Sequence, residues 1–145
     1  MSDCVIDATV IGFSNRDLDV SQPGSALDRR INVIKQVTAG KLHLRYNPKL
    51  LKEYVQHARN PRNDVIELFF QILDSDRAEF VKSNTLRRQI YALAIGKCRW
   101  PHHDQHLLAA AVDGKEPSLF VTEQRHARCG DDILMYLQIH VVLVG

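Results

Sequence analysis

The chain is sparing with the residues that build special-purpose scaffolds. Only three of its 145 residues are cysteines, Cys4, Cys98 and Cys129, and no two of them form a Cys-x-x-Cys pair. An odd count in a chain this long excludes a small disulfide framework and fits the reduced thiols of a cytoplasmic protein. Seven glycines and five prolines show no period, which excludes a collagen-like or low-complexity segment. Gly40, Gly96, Gly114 and Gly130 stand isolated, so no nucleotide-binding glycine loop is visible. There is no Gly-x-Ser-x-Gly elbow and no reactive-cysteine setting. Apolar runs are short, as at Leu107–Val112, against the ~18 residues needed to cross a bilayer, so no membrane partner is expected. Met1-Ser2-Asp3 has no positive stretch ahead of an apolar one, so no secretory leader is expected either.

What is present is ordinary globular material, with 45% hydrophobic and 25% charged residues. One domain over residues 1–145 follows, able to bury roughly 70% of its unfolded surface. The net charge of +2 argues weakly against a protein that simply coats nucleic acid, yet it conceals two basic blocks. Residues 29–62 carry nine Lys and Arg against the single Glu53, and residues 77–99 carry six against Glu79. The segments around them are acidic. Such blocks are either solvated helix faces or a phosphate-binding surface beside an acidic centre.

Cys4–Ile11 is a β-branched apolar run interrupted by one carboxylate, and reads as a buried strand ending near Asp7. Asn15, Asp17, Asp19, Pro23 and Gly24 mark a loop over 14–25. Leu27, Ile31, Ile34 and Val37 predict a helix over 26–39, stopped by Gly40, and residues 42–46 alternate as a strand. Asn47-Pro48 signals a helix start, ending near Pro61, and Asn63 caps another through Leu73. Ser83 or Asn84 is expected to cap a helix through about Lys97. A further helix runs from His103 or Asp104 to Val112. Residues 118–122 read as a strand, 131–138 as a helix and 139–144 as the last strand. Strands alternating with helices imply an α/β fold with a mainly parallel sheet covered by helices.

Ligands of such sheets bind beyond the carboxyl ends of the strands. Four acidic residues fall there: Asp7 at the end of the first strand, Glu53 in the helix after the second, Asp104 at a helix start, and Glu123 after the strand ending at Thr122. Asp7 is the hardest to explain structurally, because an ionised carboxylate seldom sits unpaired in a buried strand. Asp104 could equally be an N-cap, Glu53 an exposed residue paired with Lys49, and Glu123 a loop residue. Carboxylates gathered without cations repel, and a magnesium or manganese ion removes that penalty.

Taken together, these segments resemble the PIN-domain nucleases, a family that includes VapC-type toxin ribonucleases. Val5-Ile6-Asp7-Ala8-Thr9-Val10-Ile11 is similar to the family's first strand, with Asp followed two positions on by a hydroxyl residue. Leu50-Leu51-Lys52-Glu53-Tyr54-Val55 resembles its second acidic motif, and Asp104-Gln105-His106-Leu107-Leu108-Ala109-Ala110-Ala111 its third. Leu119-Phe120-Val121-Thr122 looks like its fourth strand. The family often places Asp two residues after that Thr, where this chain has Gln124, with Glu123 one residue early.

The resemblance implies a three-layer fold with a sheet of about five strands, and magnesium- or manganese-dependent hydrolysis of RNA phosphodiesters. In that reading Asp7, Glu53 and Asp104 hold the metal, Glu123 completes the catalytic set, and Thr9, Thr122 and Gln124 support it from behind. Arg87, Arg88, Lys97 and Arg99 would grip flanking phosphates, with a solvated helix face as the plain alternative. A toxin role would bring a protein inhibitor (an antitoxin), and the family often forms homodimers. A degenerate domain that binds RNA or protein without cutting is the rival reading, motivated by Gln124. A flavodoxin-like signalling domain is a third, but the chain lacks the Asp–Asp pair near the first strand and a central acceptor Asp in a comparable setting. His102, His103 and His106 beside Cys98 suggest zinc, yet no second ligand pair has a standard spacing. His106 is instead expected to be partly buried and hydrogen-bonded within the site. Trp100 could stack a base, though a loop Trp covering the core is commoner.

Overall fold

The computed structural model describes residues 1–16 and 22–145, so the turn formers Asp17 and Asp19 lie outside the described residues. Its centre is β1 (Ser2–Ile6), where Cys4, Val5 and Ile6 are wholly buried. A strand apolar on both faces is what a parallel sheet covered on each side demands. β2 (Leu42–Tyr46) lies parallel on one side of it and β4 (Ser118–Val121) on the other, with Cys4 opposite both Leu44 and Ser118. β3 (Glu79–Phe80) extends the β2 edge and β5 (His140–Leu143) the β4 edge. The sheet order is β3-β2-β1-β4-β5, all parallel, flanked by helices, and the expected α/β class stands. No helix among the described residues is long and apolar enough to cross a membrane.

Polar side chains set the ends of these elements. Ser25 opens α2 (Ala26–Thr38) by accepting from the Asp28 amide at 3.1 Å. Asn47 opens α3 (Pro48–His57), and Asn63 opens α4 (Asp64–Leu73) in the same way. Three elements before residue 100 differ from expectation. The chain turns into α1 (Ala8–Ser14) directly after Asp7, although Thr9, Val10 and Ile11 are poor helix formers. Burial of Ala8, Val10 and Ile11 outweighs that weak preference. β3 is too short for a two-residue alternation to register. The third difference is α5 (Arg88–Cys98), which begins three or four residues later than a cap at Asn84 or Ser83 implies. Asn84 does cap a helix, but a different one: its Oδ1 accepts from the Lys49 amide of α3 at 2.9 Å.

After α5, Arg99 takes a left-handed conformation (φ 57°) and the chain passes Trp100 and a short turn at His102–Asp104 into α6 (Gln105–Ala111). α6 is buried from His106 to Ala111 and packs on β1, β2 and β4. The four-residue α7 (Gln124–Ala127) and α8 (Gly130–Leu137) follow β4. Strand order reverses at β1, whose neighbours β2 and β4 are reached in opposite directions across the sheet. That reversal opens a crevice beyond the carboxyl ends of β1 and β4, and Asp7 and Glu123 stand at its two sides.

Candidate metal centre

Asp7 caps α1 only through its backbone: its carbonyl accepts from the Val10 amide and its amide donates to the Phe120 carbonyl, both at 2.9 Å. The carboxylate itself makes no cap bond, and the residue is 8% exposed. Burial raises its pKa; a charge on His126 opposes the rise, the carboxylates of Asp104 and Glu53 add to it, and a hydrogen bond from Thr9 works against it. Thr9 and Thr122 share a 2.7 Å hydrogen bond. With the Thr9 proton directed to Asp7, Thr122 donates to Thr9, which links the first turn of α1 to the end of β4.

The structure adds a residue to the expected set. One ligand atom each from Asp7, Glu123 and His126 lies within 4.8 Å of the others, a metal-sized grouping. His126 sits on α7, is wholly buried and stacks against Trp100 with ring centroids 4.7 Å apart. Its Nε2 is 2.8 Å from Asp104 Oδ2. Its Nδ1 is buried without a hydrogen-bond partner and lies 3.6 Å from Glu123 Oε2. Periodicity does not mark His126, because a four-residue helix has none. The one available signal is its place three residues after Glu123.

Asp104 joins the group through His126. It stands at the start of α6 but makes no cap bond with its side chain. Burial pushes its carboxyl upward, but the hydrogen bond and charge of His126, with His103 and Arg125, outweigh this and hold it below the ordinary range. Arg125 donates to Glu123 Oε2 at 3.1 Å and to Asp104 Oδ2 at 3.4 Å. The Asp7 carboxyl is thus pushed up and the Asp104 carboxyl down, the kind of separation that distinguishes roles among neighbouring carboxylates.

Glu53 and Asp104 are not members of the closest triple, although both act electrostatically on Asp7. Glu53 is not paired with Lys49. It is hydrogen-bonded by His106 Nε2, while the Lys49 ammonium donates to the His103 carbonyl. His106 is 1% exposed, more fully buried than expected, and its Nδ1 has no partner. Gln124 is exposed at the start of α7, and no side-chain hydrogen bond joins it to the cluster among the described residues. Arg87, Arg88, Lys97 and Arg99 are exposed at the two ends of α5 and make no ion pair among the described residues. The alternative zinc set is dispersed: Cys98 donates to the Ala94 carbonyl and His102 bonds Tyr91. Trp100 is 2% exposed and donates to the Asp104 carbonyl at 3.0 Å, the core-covering role.

The fold and the cluster together define an α/β protein with a carboxylate–histidine grouping at the switch point of a parallel sheet. No protein-family model, curated protein or solved structure matches the chain.

Proposed function

We propose that the protein is a metal-dependent endoribonuclease of the PIN type, hydrolysing RNA phosphodiester bonds in the cytoplasm. The observation that carries this reading is the triple of Asp7, Glu123 and His126 at the carboxyl ends of β1 and β4, with Asp7 and His126 buried and Glu123 half-exposed. The donor set fits a divalent cation. Two carboxylates and an unpartnered imidazole nitrogen converge where burial penalises the Asp7 charge. A bound divalent ion supplies positive charge to the phosphate oxygens and acidifies an attacking water. The protein's own contribution is placement. Thr9 and Thr122 fix Asp7, Asp104 orients His126, and His106 steers Glu53 toward the same crevice. Free thiols at Cys4, Cys98 and Cys129 support a reducing compartment. A toxin role with a protein inhibitor, and a homodimer, belong to the same reading.

Arg125 favours one rival, a domain that binds RNA or protein without cutting. Its guanidinium already neutralises Glu123 and Asp104 from within the chain. A mixed RNA pool incubated with the protein in magnesium, manganese or EDTA separates the two. Cleavage is expected with metal, absent in EDTA, and reduced about 100-fold or more by Asp7→Asn, the scale of several kcal/mol that a cation contributes. Equal cleavage in EDTA, or an Asp7→Asn variant as active as wild type, rejects the nuclease.

A further inference from the structure

We propose that the ion of this site is bound through His126 Nδ1 together with the carboxylates of Asp7 and Glu123, so that the site selects a first-row transition ion over magnesium. The inference rests on the metal-dependent reading above and narrows it.

The imidazole is held by its far nitrogen. In the neutral ring that a cation requires, with Nε2–H donating to Asp104 Oδ2 at 2.8 Å, Nδ1 keeps its lone pair. That nitrogen is buried, has no hydrogen-bond partner, and faces Glu123 Oε2 at 3.6 Å, beyond hydrogen-bond reach. Leaving such an acceptor unpartnered costs free energy unless something else occupies its lone pair. A cation with ligand distances of about 2.0–2.2 Å touches three evenly spaced donors up to roughly 3.8 Å apart. The donors of Asp7, Glu123 and His126 lie within 4.8 Å of one another, so inward shifts of at most about 0.6 Å per donor close the site. Asp104 then stands behind the imidazole as the carboxylate that fixes a ligating histidine's tautomer and ring angle. The Trp100 ring, 4.7 Å from that of His126, restrains the same rotation.

Ligand chemistry sets the preference. Magnesium takes oxygen donors and keeps several waters, whereas imidazole suits later divalent ions. Two carboxylates with one imidazole therefore favour manganese or a later first-row ion. Arg125 holds Glu123 through Oε2, which leaves Oε1 to turn toward a cation.

Manganese titrated into the wild-type protein without RNA provides the test, followed by electron paramagnetic resonance. The free-ion signal is expected to disappear on binding, the pulsed spectrum of the bound ion to show coupling to a directly bonded nitrogen, and equimolar magnesium to leave the bound fraction unchanged. His126→Gln retains an amide near Asp104 but no donor at the Nδ1 position. It is expected to bind manganese about 10- to 100-fold more weakly and to lose the nitrogen coupling. Bound manganese without nitrogen coupling overturns the proposal, and so does displacement by equimolar magnesium. Both readouts come from the wild-type chain, so a His126→Gln variant that failed to fold would not shield the idea. A nitrogen-coupled ion on a protein that leaves RNA intact would reject the ribonuclease and keep this ligand set. Cleavage by a site lacking the coupling would do the reverse. No manganese binding at all rejects this ligand set, while the ribonuclease stands or falls by the cleavage assay.

Discussion

Asn47 shows how much a single side chain can coordinate. It is wholly buried, and its Oδ1 accepts from the Leu50 amide at 3.2 Å to cap α3. Its Nδ2 donates to the His106 carbonyl at 2.9 Å and to the Ser83 carbonyl at 3.2 Å. The helix carrying Glu53 is thereby tied to the helix carrying His106, and the two side chains meet. Asn47→Ala removes a cap and strips two carbonyls of a donor, so a loss of about 2–4 kcal/mol is expected in urea unfolding. Asn47→Ser keeps a cap acceptor without burying a charge against the two carbonyls and should lose less; a loss under about 1 kcal/mol for the alanine variant would contradict the account. Asn47 was legible as a cap because Asn-Pro is a local signal, but its long-range donors were not. The same division runs through the site. Asp7 was visible because a carboxylate in an apolar strand conflicts with its neighbours. His126 was invisible because its role depends on Asp104, 22 residues away in sequence.

At the scale of elements, local chemistry was sufficient where a cap or a stop residue marked the boundary. α2, α3 and α4 lie within a few residues of their expected limits. It failed where the fold overrode propensity, at α1, or reassigned a cap, at Asn84. α6 is the element on which the site depends most. Its alanines let it lie close against three strands, and the Ala110 carbonyl accepts from Arg45 Nε at 2.9 Å. Ala110 is fully buried. Ala110→Leu adds three heavy atoms where none fit, and overpacking of this kind costs about 1–3 kcal/mol. A fall in Tm of roughly 3–10 °C is expected by calorimetry. Because α6 would lift from the sheet and carry Asp104 with it, manganese affinity should fall in the same variant. An unchanged Tm would mean that α6 packs less tightly than its burial implies.

For the molecule as a whole, a net charge of +2 is the sum of unlike parts. Several of the acidic residues that cancel the basic blocks are those gathered at the crevice, namely Asp7, Glu53, Asp104 and Glu123. The cations of α5 stand outside it in two pairs, Arg87 with Arg88 and Lys97 with Arg99. At 1.5 Å per residue, Arg88 and Lys97 are about 14 Å apart along the helix, a span of roughly two phosphates on an extended strand. The Lys97–Arg99 end leads directly into the Trp100–Asp104 segment of the site. On the ribonuclease reading, these cations hold phosphates whose negative charge the crevice repels until a cation is bound. Single-stranded RNA binding, measured on Asp7→Asn to keep the RNA intact, should weaken with salt at a logarithmic slope of about −0.7 per phosphate engaged. Replacing Arg88 and Arg99 together by alanine should lower that slope by about 1.4 and weaken binding most at low salt. A slope that stays the same would return α5 to the plain alternative, a solvated helix face, and the phosphate grip would have to lie in the other basic block, residues 29–62.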